Sequence, residues 1–208
     1  MPITRPTTTT RARKSSKKPP VRPLTPAQLS RVVSVIGEPS GTARFGAGKA
    51  LIATAEKFPE RVYPHFDAIA PLLRSESKIM RWTGMLALAP LAEVDADRKI
   101  DTVLDTYVSF IHGGNLISAA NAVKCLARIA RYRPDLLERV LAVILEVENA
   151  TYETPECRRV AIGQTLKVLE EMGDEVLRRP DVSAFIRRQL NCSRSAVAKL
   201  ANQLLRRL

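Results

Sequence analysis

The chain copies itself. Lys49, Leu51, Ala55 and Pro59 recur as Lys124, Leu126, Ala130 and Pro134, with Glu60 answered by Asp135, at a shift of 75 positions. A half-way copy lies between them: Arg44, Ala50, Leu51, Ala55, Glu56 and Arg61 match Arg81, Ala87, Leu88, Ala92, Glu93 and Arg98 at a shift of 37. Periods of this size belong to stacked helical units, each too small to bury its own apolar face and so dependent on its neighbours. They constrain architecture strongly and chemistry weakly, because a solenoid mostly presents surfaces.

At 208 residues the chain suits one elongated array better than two independent domains. Apolar residues make up 45% and aromatics only 5%, so Ala, Leu and Val must carry the core, as suits closely spaced helices. No run of 18 uncharged apolar residues exists, so no membrane span is expected. The basic N-terminus has no apolar stretch behind it and does not read as a secretory leader. Cys125, Cys157 and Cys192 form no Cys-x-x-Cys pair, and an odd count fits reduced thiols. A cytoplasmic setting is expected, with a nuclear or nucleoid-associated one as the alternative.

The net charge of +12 is concentrated at the two ends. Residues 1–23 hold seven Lys/Arg and no acid, while residues 178–208 hold eight Lys/Arg against Asp181 alone. The stretch between carries 18 basic and 20 acidic residues and is nearly neutral. Residues 1–23 are rich in Thr, Ser, Pro and cations and poor in large apolar groups. They cannot offset chain entropy by burial and are expected to be a disordered tail preceding a repeat domain over 24–208.

Thr25-Pro26-Ala27-Gln28 reads as a capped helix start, and Gly37 with Pro39 as its stop. Helix pairs are then predicted at about 43–57 with 60–73, 78–93 with 97–111, 116–132 with 134–147, and 155–172 with 175–190. Pro180 should interrupt the last of these, and a final helix at about 194–207 closes the array. Val123, Leu126, Ile129 and Ala130 share one face of their helix, and Lys124, Arg128 and Arg131 the opposite one.

Over roughly residues 40–208 this pattern resembles the HEAT-repeat family. The resemblance rests on Arg44, Arg81, Arg158 or Arg159, and Arg194 near the starts of first helices. It also rests on the turn-and-restart at Pro71-Leu72-Leu73-Arg74-Ser75-Glu76-Ser77-Lys78-Ile79-Met80-Arg81. It implies an all-α, right-handed solenoid of four to five antiparallel pairs, with second helices lining a groove and first helices on the convex side. The third unit departs, with Ser118-Ala119 where the Arg belongs, so a different junction is expected there.

Several segments suggest chemistry and lose it on inspection. Gly46-Ala47-Gly48-Lys49-Ala50 lacks the first Gly and the hydroxyl of a phosphate loop, and no apolar strand precedes it; small residues for close helix contact explain it better. His65 and His112 are isolated, whereas a metal needs three or four suitably spaced ligands. No His-Glu dipeptide occurs, against a HEAT-like di-iron hydroxylase. Trp82, the only tryptophan, matches Phe45 across the repeat and reads as a junction residue. A HEAT-like DNA glycosylase is a remote third reading, weakened by a single Trp and an acidic second helix. No catalytic, cofactor-binding or metal residue is assigned.

The charged features point to partners. Asp97, Asp101 and Asp105 are expected as an acidic row on one helix face, with Arg178, Arg179, Arg187 and Arg188 as a basic docking end. The favoured reading is a non-catalytic scaffold for another protein. The alternative is weak, sequence-indifferent nucleic-acid binding through the tail (Arg11, Arg13, Lys14, Lys17 and Lys18) and the basic C-terminal end. Residues 1–23 hold no aromatic residue and 178–208 only Phe185, so base stacking is not available to either.

Overall fold

A computed structural model describes residues 24–38 and 41–208; the expectations for residues 1–23, including those for Arg11, Arg13, Lys14, Lys17 and Lys18, lie outside them. The first helix, α1 (Pro26–Gly37), opens with a reciprocal cap. The Thr25 hydroxyl accepts from the Gln28 N–H at 3.3 Å, and the Gln28 side-chain carbonyl accepts from the Thr25 N–H at 2.9 Å.

Four two-layered units follow. The first pairs α2 (Ala43–Lys57) with α3 (Pro59–Val62), a 3₁₀ turn at Tyr63–His65, α4 (Phe66–Ile69) and a 3₁₀ turn at Ala70–Arg74. The second pairs α5 (Lys78–Leu88), prolonged by a 3₁₀ stretch at Ala89–Val94, with a 3₁₀ turn at Lys99–Thr102 and α6 (Leu104–His112). The third pairs α7 (Leu116–Tyr132) with a 3₁₀ turn at Pro134–Leu136, α8 (Leu137–Leu145) and a 3₁₀ turn at Glu146–Glu148. The fourth pairs α9 (Pro155–Met172) with α10 (Asp174–Leu177) and α11 (Pro180–Arg188), and α12 (Ser195–Leu205) closes the stack. Among the described residues no strand occurs. The chain is an α-solenoid, as the repeat predicted.

Proline placement explains which helices are long. α2, α7 and α9 run 15, 17 and 18 residues with no proline past the first turn. The helix predicted at 60–73 instead carries Pro64 and Pro71, each at the start of a 3₁₀ turn, because a ring in place of an N–H breaks the α ladder. Pro90 does the same to the end of α5. Helices α1, α2, α5, α7, α9 and α12 stack side by side as one layer, and the fragmented segments form the other.

One continuous core runs from Leu29 to Leu204. Leu51, Leu88 and Leu126, matched across the repeats, are fully buried, and each such side chain contributes about 1.5–3 kcal/mol by leaving water. Gly84 lets α5 approach the preceding segment: a Cβ there would lie 2.9 Å from the Leu72 Cβ and 3.2 Å from the Leu73 amide nitrogen. Gly48 faces the Thr83 side chain, which an added Cβ would meet at 3.0 Å, so close helix contact accounts for this glycine of the apparent phosphate loop, whereas nothing lies within 4 Å of a Cβ at Gly46.

The acidic row is not a helix face. Asp97 sits in a turn, Asp101 in a 3₁₀ turn and Asp105 in α6. Between the first two, Arg98 adopts a left-handed φ of 56°, which breaks the four-residue helical spacing. The Arg98 side chain pairs with Asp101 at 2.9 Å and with Asp135 at 3.1 Å.

Candidate functional site

The first-helix layer has a hollow outer face. Arg128 on α7 pairs with Glu56 on α2 at 2.5 Å, passing over α5, which lies between them in the stack. Two helices separated by a third can touch only if the layer curves inward there. Pro90 helps, since it tightens the end of α5 into a 3₁₀ stretch, and Ala89, Ala127 and Ala130 fill little of the space beside it.

The result is a groove of about 830 Å³, within the range that holds a ligand-sized group. Glu56 of α2, Leu86, Ala89 and Pro90, the outer face of α7, Pro134 and Leu137 just after it, and the ends of α9 and α10 line it. Its floor is apolar: Leu86, Pro90, Ala127, Ala130, Val168 and Met172. Lys124, Arg128 and Arg131 run along its α7 wall, with Tyr132, 38% exposed, at the end of that helix. The second helices were expected to line the groove; here they contribute only Pro134, Leu137 and Val176, and Lys124, Arg128 and Arg131 line a hollow instead of facing a convex side.

Cys125 reaches the groove lining but is locked. It is buried, its thiol donates to the Met85 carbonyl at 3.4 Å, and burial pushes its pKa up to about 12. A thiol held protonated is a poor nucleophile. The Tyr107 hydroxyl donates to the same carbonyl at 2.7 Å, and burial pushes its pKa well up. Both bonds tie α5 to its neighbours. His65 and His112 lie outside the groove lining. Among the described residues no cluster of three or more His, Cys, Asp and Glu could hold a metal.

The expected partner residues are largely engaged within the chain. Asp101 accepts from Arg133 at 2.9 Å, and Asp105 pairs with Arg139. The Asp97 backbone N–H donates to the Tyr63 hydroxyl at 3.2 Å. Arg179 grips Glu138 with two nitrogens at 2.6 and 2.7 Å and also pairs with Asp181. Arg188 holds Glu148 at 2.6 Å. Arg178 and Arg187, by contrast, are exposed and have no ion pair among the described residues.

Arg133, which the sequence reading passed over, is the hub of this network. Its side chain is 10% exposed and pairs with Asp95 at 2.9 Å, Asp101 at 2.9 Å and Asp135 at 2.8 Å. Asp95 has a fully buried side chain and also accepts from the Tyr63 hydroxyl at 3.0 Å and the Ile100 N–H at 3.2 Å. The hydrogen bonds from Arg133 hold the Asp135 carboxyl down at about 2. A signal existed: Arg133-Pro134-Asp135 recurs as Arg179-Pro180-Asp181, and each Arg bonds its own Asp and an acid of the preceding unit.

The third junction is held differently, as its missing Arg led us to expect. Trp82 Nε1 donates to the Ser118 hydroxyl at 3.0 Å, and the Asn115 side chain caps α7 by accepting from the Ser118 N–H at 3.0 Å. Trp82 is therefore a junction residue.

No family model matches the sequence, and no curated protein matches it either. Solved structures do. The chain is similar to a designed armadillo repeat protein in complex with the peptide (KR)4, with a TM-score of 0.58 at 18% identity over 87% of this chain and 82% of that one. A second designed armadillo repeat protein aligns with a TM-score of 0.55 at 18% identity, covering 88% and 82%. At this identity the likeness concerns the fold. It places the chain among α-solenoid repeat proteins. No helix among the described residues is long and apolar enough to cross a membrane.

Proposed function

We propose that this chain is a non-catalytic repeat scaffold that binds a segment of another protein in the groove of its first-helix layer. The groove carries the reading: an apolar floor shared by three first-layer helices, α5 with its 3₁₀ extension, α7 and α9, bordered by charged side chains and an exposed Tyr132. An apolar centre with a polar rim is how protein segments are held. One similar solenoid was solved with a peptide, (KR)4, which makes an extended segment a fitting occupant. The locked Cys125 thiol argues for binding rather than chemistry at this face. Units of two helices, with Arg44, Arg81 and Arg194 near first-helix starts, favour a HEAT-like subclass.

A second reading rests on Arg178, Arg187, Lys199 and Arg206, which are exposed and without ion pairs among the described residues. Four such cations would give weak nucleic-acid binding with a log–log salt slope near −3.6.

A photo-cross-linking residue placed at Tyr132, at Ala142 on α8 or at Lys199 on α12 tests the assignment in native lysate, with and without nuclease. Protein adducts arising from position 132 and resisting nuclease are expected. Adducts confined to position 142, or to 199 and lost with nuclease, would contradict it.

A further inference from the structure

We infer that the occupant of the groove is an acidic segment of a partner protein with a large apolar anchor, its carboxylates taken by Lys124, Arg128 and Arg131. This rests on the reading of the groove as the binding face. The three cations stand at i, i+4 and i+7 on α7, so they form one stripe about 10 Å long at ~1.5 Å rise per residue. Directly below the stripe lie Ala127 and Ala130, which leave room for a bulky side chain against Leu86 and Val168.

The protein itself shows that this stripe takes a carboxylate. Glu56 from two units away occupies the Arg128 guanidinium at 2.5 Å. Lys124 and Arg131, on either side, are exposed and carry no ion pair among the described residues. With Arg128 already matched by Glu56, Glu171 on the α9 wall is the remaining acid of the lining, and the two free cations outweigh it. A basic peptide such as (KR)4 would meet like charge along α7. So would the chain's own residues 1–23, with seven cations and no acid, which removes them as the occupant.

Glu56 then acts as an internal competitor. An incoming carboxylate must displace it from Arg128, so neutralising Glu56 should strengthen binding, whereas removing an ordinary rim residue would weaken it or do nothing. That direction of change distinguishes a competitor from a structural contact.

The test is selection of a random twelve-residue peptide library, displayed on phage, against the full chain and against its K124E/R131E variant. The best enriched sequence is then titrated as a labelled peptide. We expect enriched sequences to be net negative with Leu, Phe or Trp among the acids. Affinity should fall at least about tenfold in K124E/R131E and rise several-fold in E56Q. It should be unchanged in R178E/R187E, whose cations lie outside the groove. All the substituted side chains are solvent-accessible, and matched thermal melts establish that the variants fold. Enrichment of neutral or basic sequences at the groove would overturn the acidic assignment while leaving the groove as the binding face. Equal enrichment on K124E/R131E, unchanged or weaker binding by E56Q, or no enrichment at all would also overturn it.

Discussion

Arg128 and Glu56 are 72 positions apart and form an ion pair, whereas the other ion pairs between units among the described residues join positions 32 to 41 apart. The shorter set staples each unit to the next. Arg128 and Glu56 instead bridge two units across a third, and so record the inward curvature of the first-helix layer. The same pair places a carboxylate on the cationic wall of the groove. Geometry and chemistry of the candidate site thus meet in one contact.

Removing Arg133 should cost far more than removing Arg139. Arg133 neutralises the buried Asp95 carboxylate, and stranding a buried charge costs about 3–5 kcal/mol. Arg139 and Asp105 are both exposed, so Arg139→Ala should cost less than about 1 kcal/mol. Urea unfolding of Arg133→Met and Arg139→Ala measures both; similar costs would mean that the hub is not a hub.

Leu88→Ala and Leu126→Ala should each destabilise the array by about 2–5 kcal/mol, since both side chains are fully buried at matched repeat positions. Gly84→Ala should cost about 1–3 kcal/mol by overpacking, because the added methyl meets the Leu72 Cβ and the Leu73 backbone. Thermal or urea unfolding checks the series. Tolerance of all three would show that α5 is not seated as described.

Acid should weaken the fold in a defined window. Hydrogen bonds from Arg133 hold Asp135 at about 2, and those from Arg159 and Arg194 lower Glu156. A carboxyl whose pKa is depressed by folding contributes stability above its unfolded value of about 4 and loses it as pH falls toward 2. Urea midpoints at pH 7, 5, 4, 3 and 2 should be level at first and then fall below pH 4, less steeply in Arg133→Met. A midpoint indifferent to pH down to 2 would count against the network.

Thiol labelling should divide the cysteines. Cys157 and Cys192 are half-buried, while Cys125 is buried and its pKa is raised to about 12. At pH 8 a disulfide reagent should modify Cys157 and Cys192 in the native protein and reach Cys125 only at the rate of unfolding. Fast labelling of Cys125 would mean that the groove floor opens.

How much of this was legible can be seen residue by residue. α2, α7 and α9 were readable to the residue because Pro59, Pro134 and Pro155 mark boundaries and nothing interrupts them. The segments at 60–73 and 78–93, expected as continuous helices, break at Pro64, Pro71 and Pro90, which interrupt the α ladder. Asp97, Asp101 and Asp105 have helical spacing in sequence and lose it to one left-handed residue, Arg98, which pattern alone does not reveal. Which layer is concave depends on how closely whole helices stack, so the groove had no local signal. The recurring Arg-Pro-Asp had one.

Hydrogen exchange tests the central claim, that the first-helix groove is the binding face, most directly. With a saturating captured protein partner or selected peptide, protection should rise in residues 86–91, 124–132 and 168–176 and stay level in α6, in α11 and in α8 beyond its first turn. Protection confined to those second-layer helices, or to residues 178–208, would contradict it.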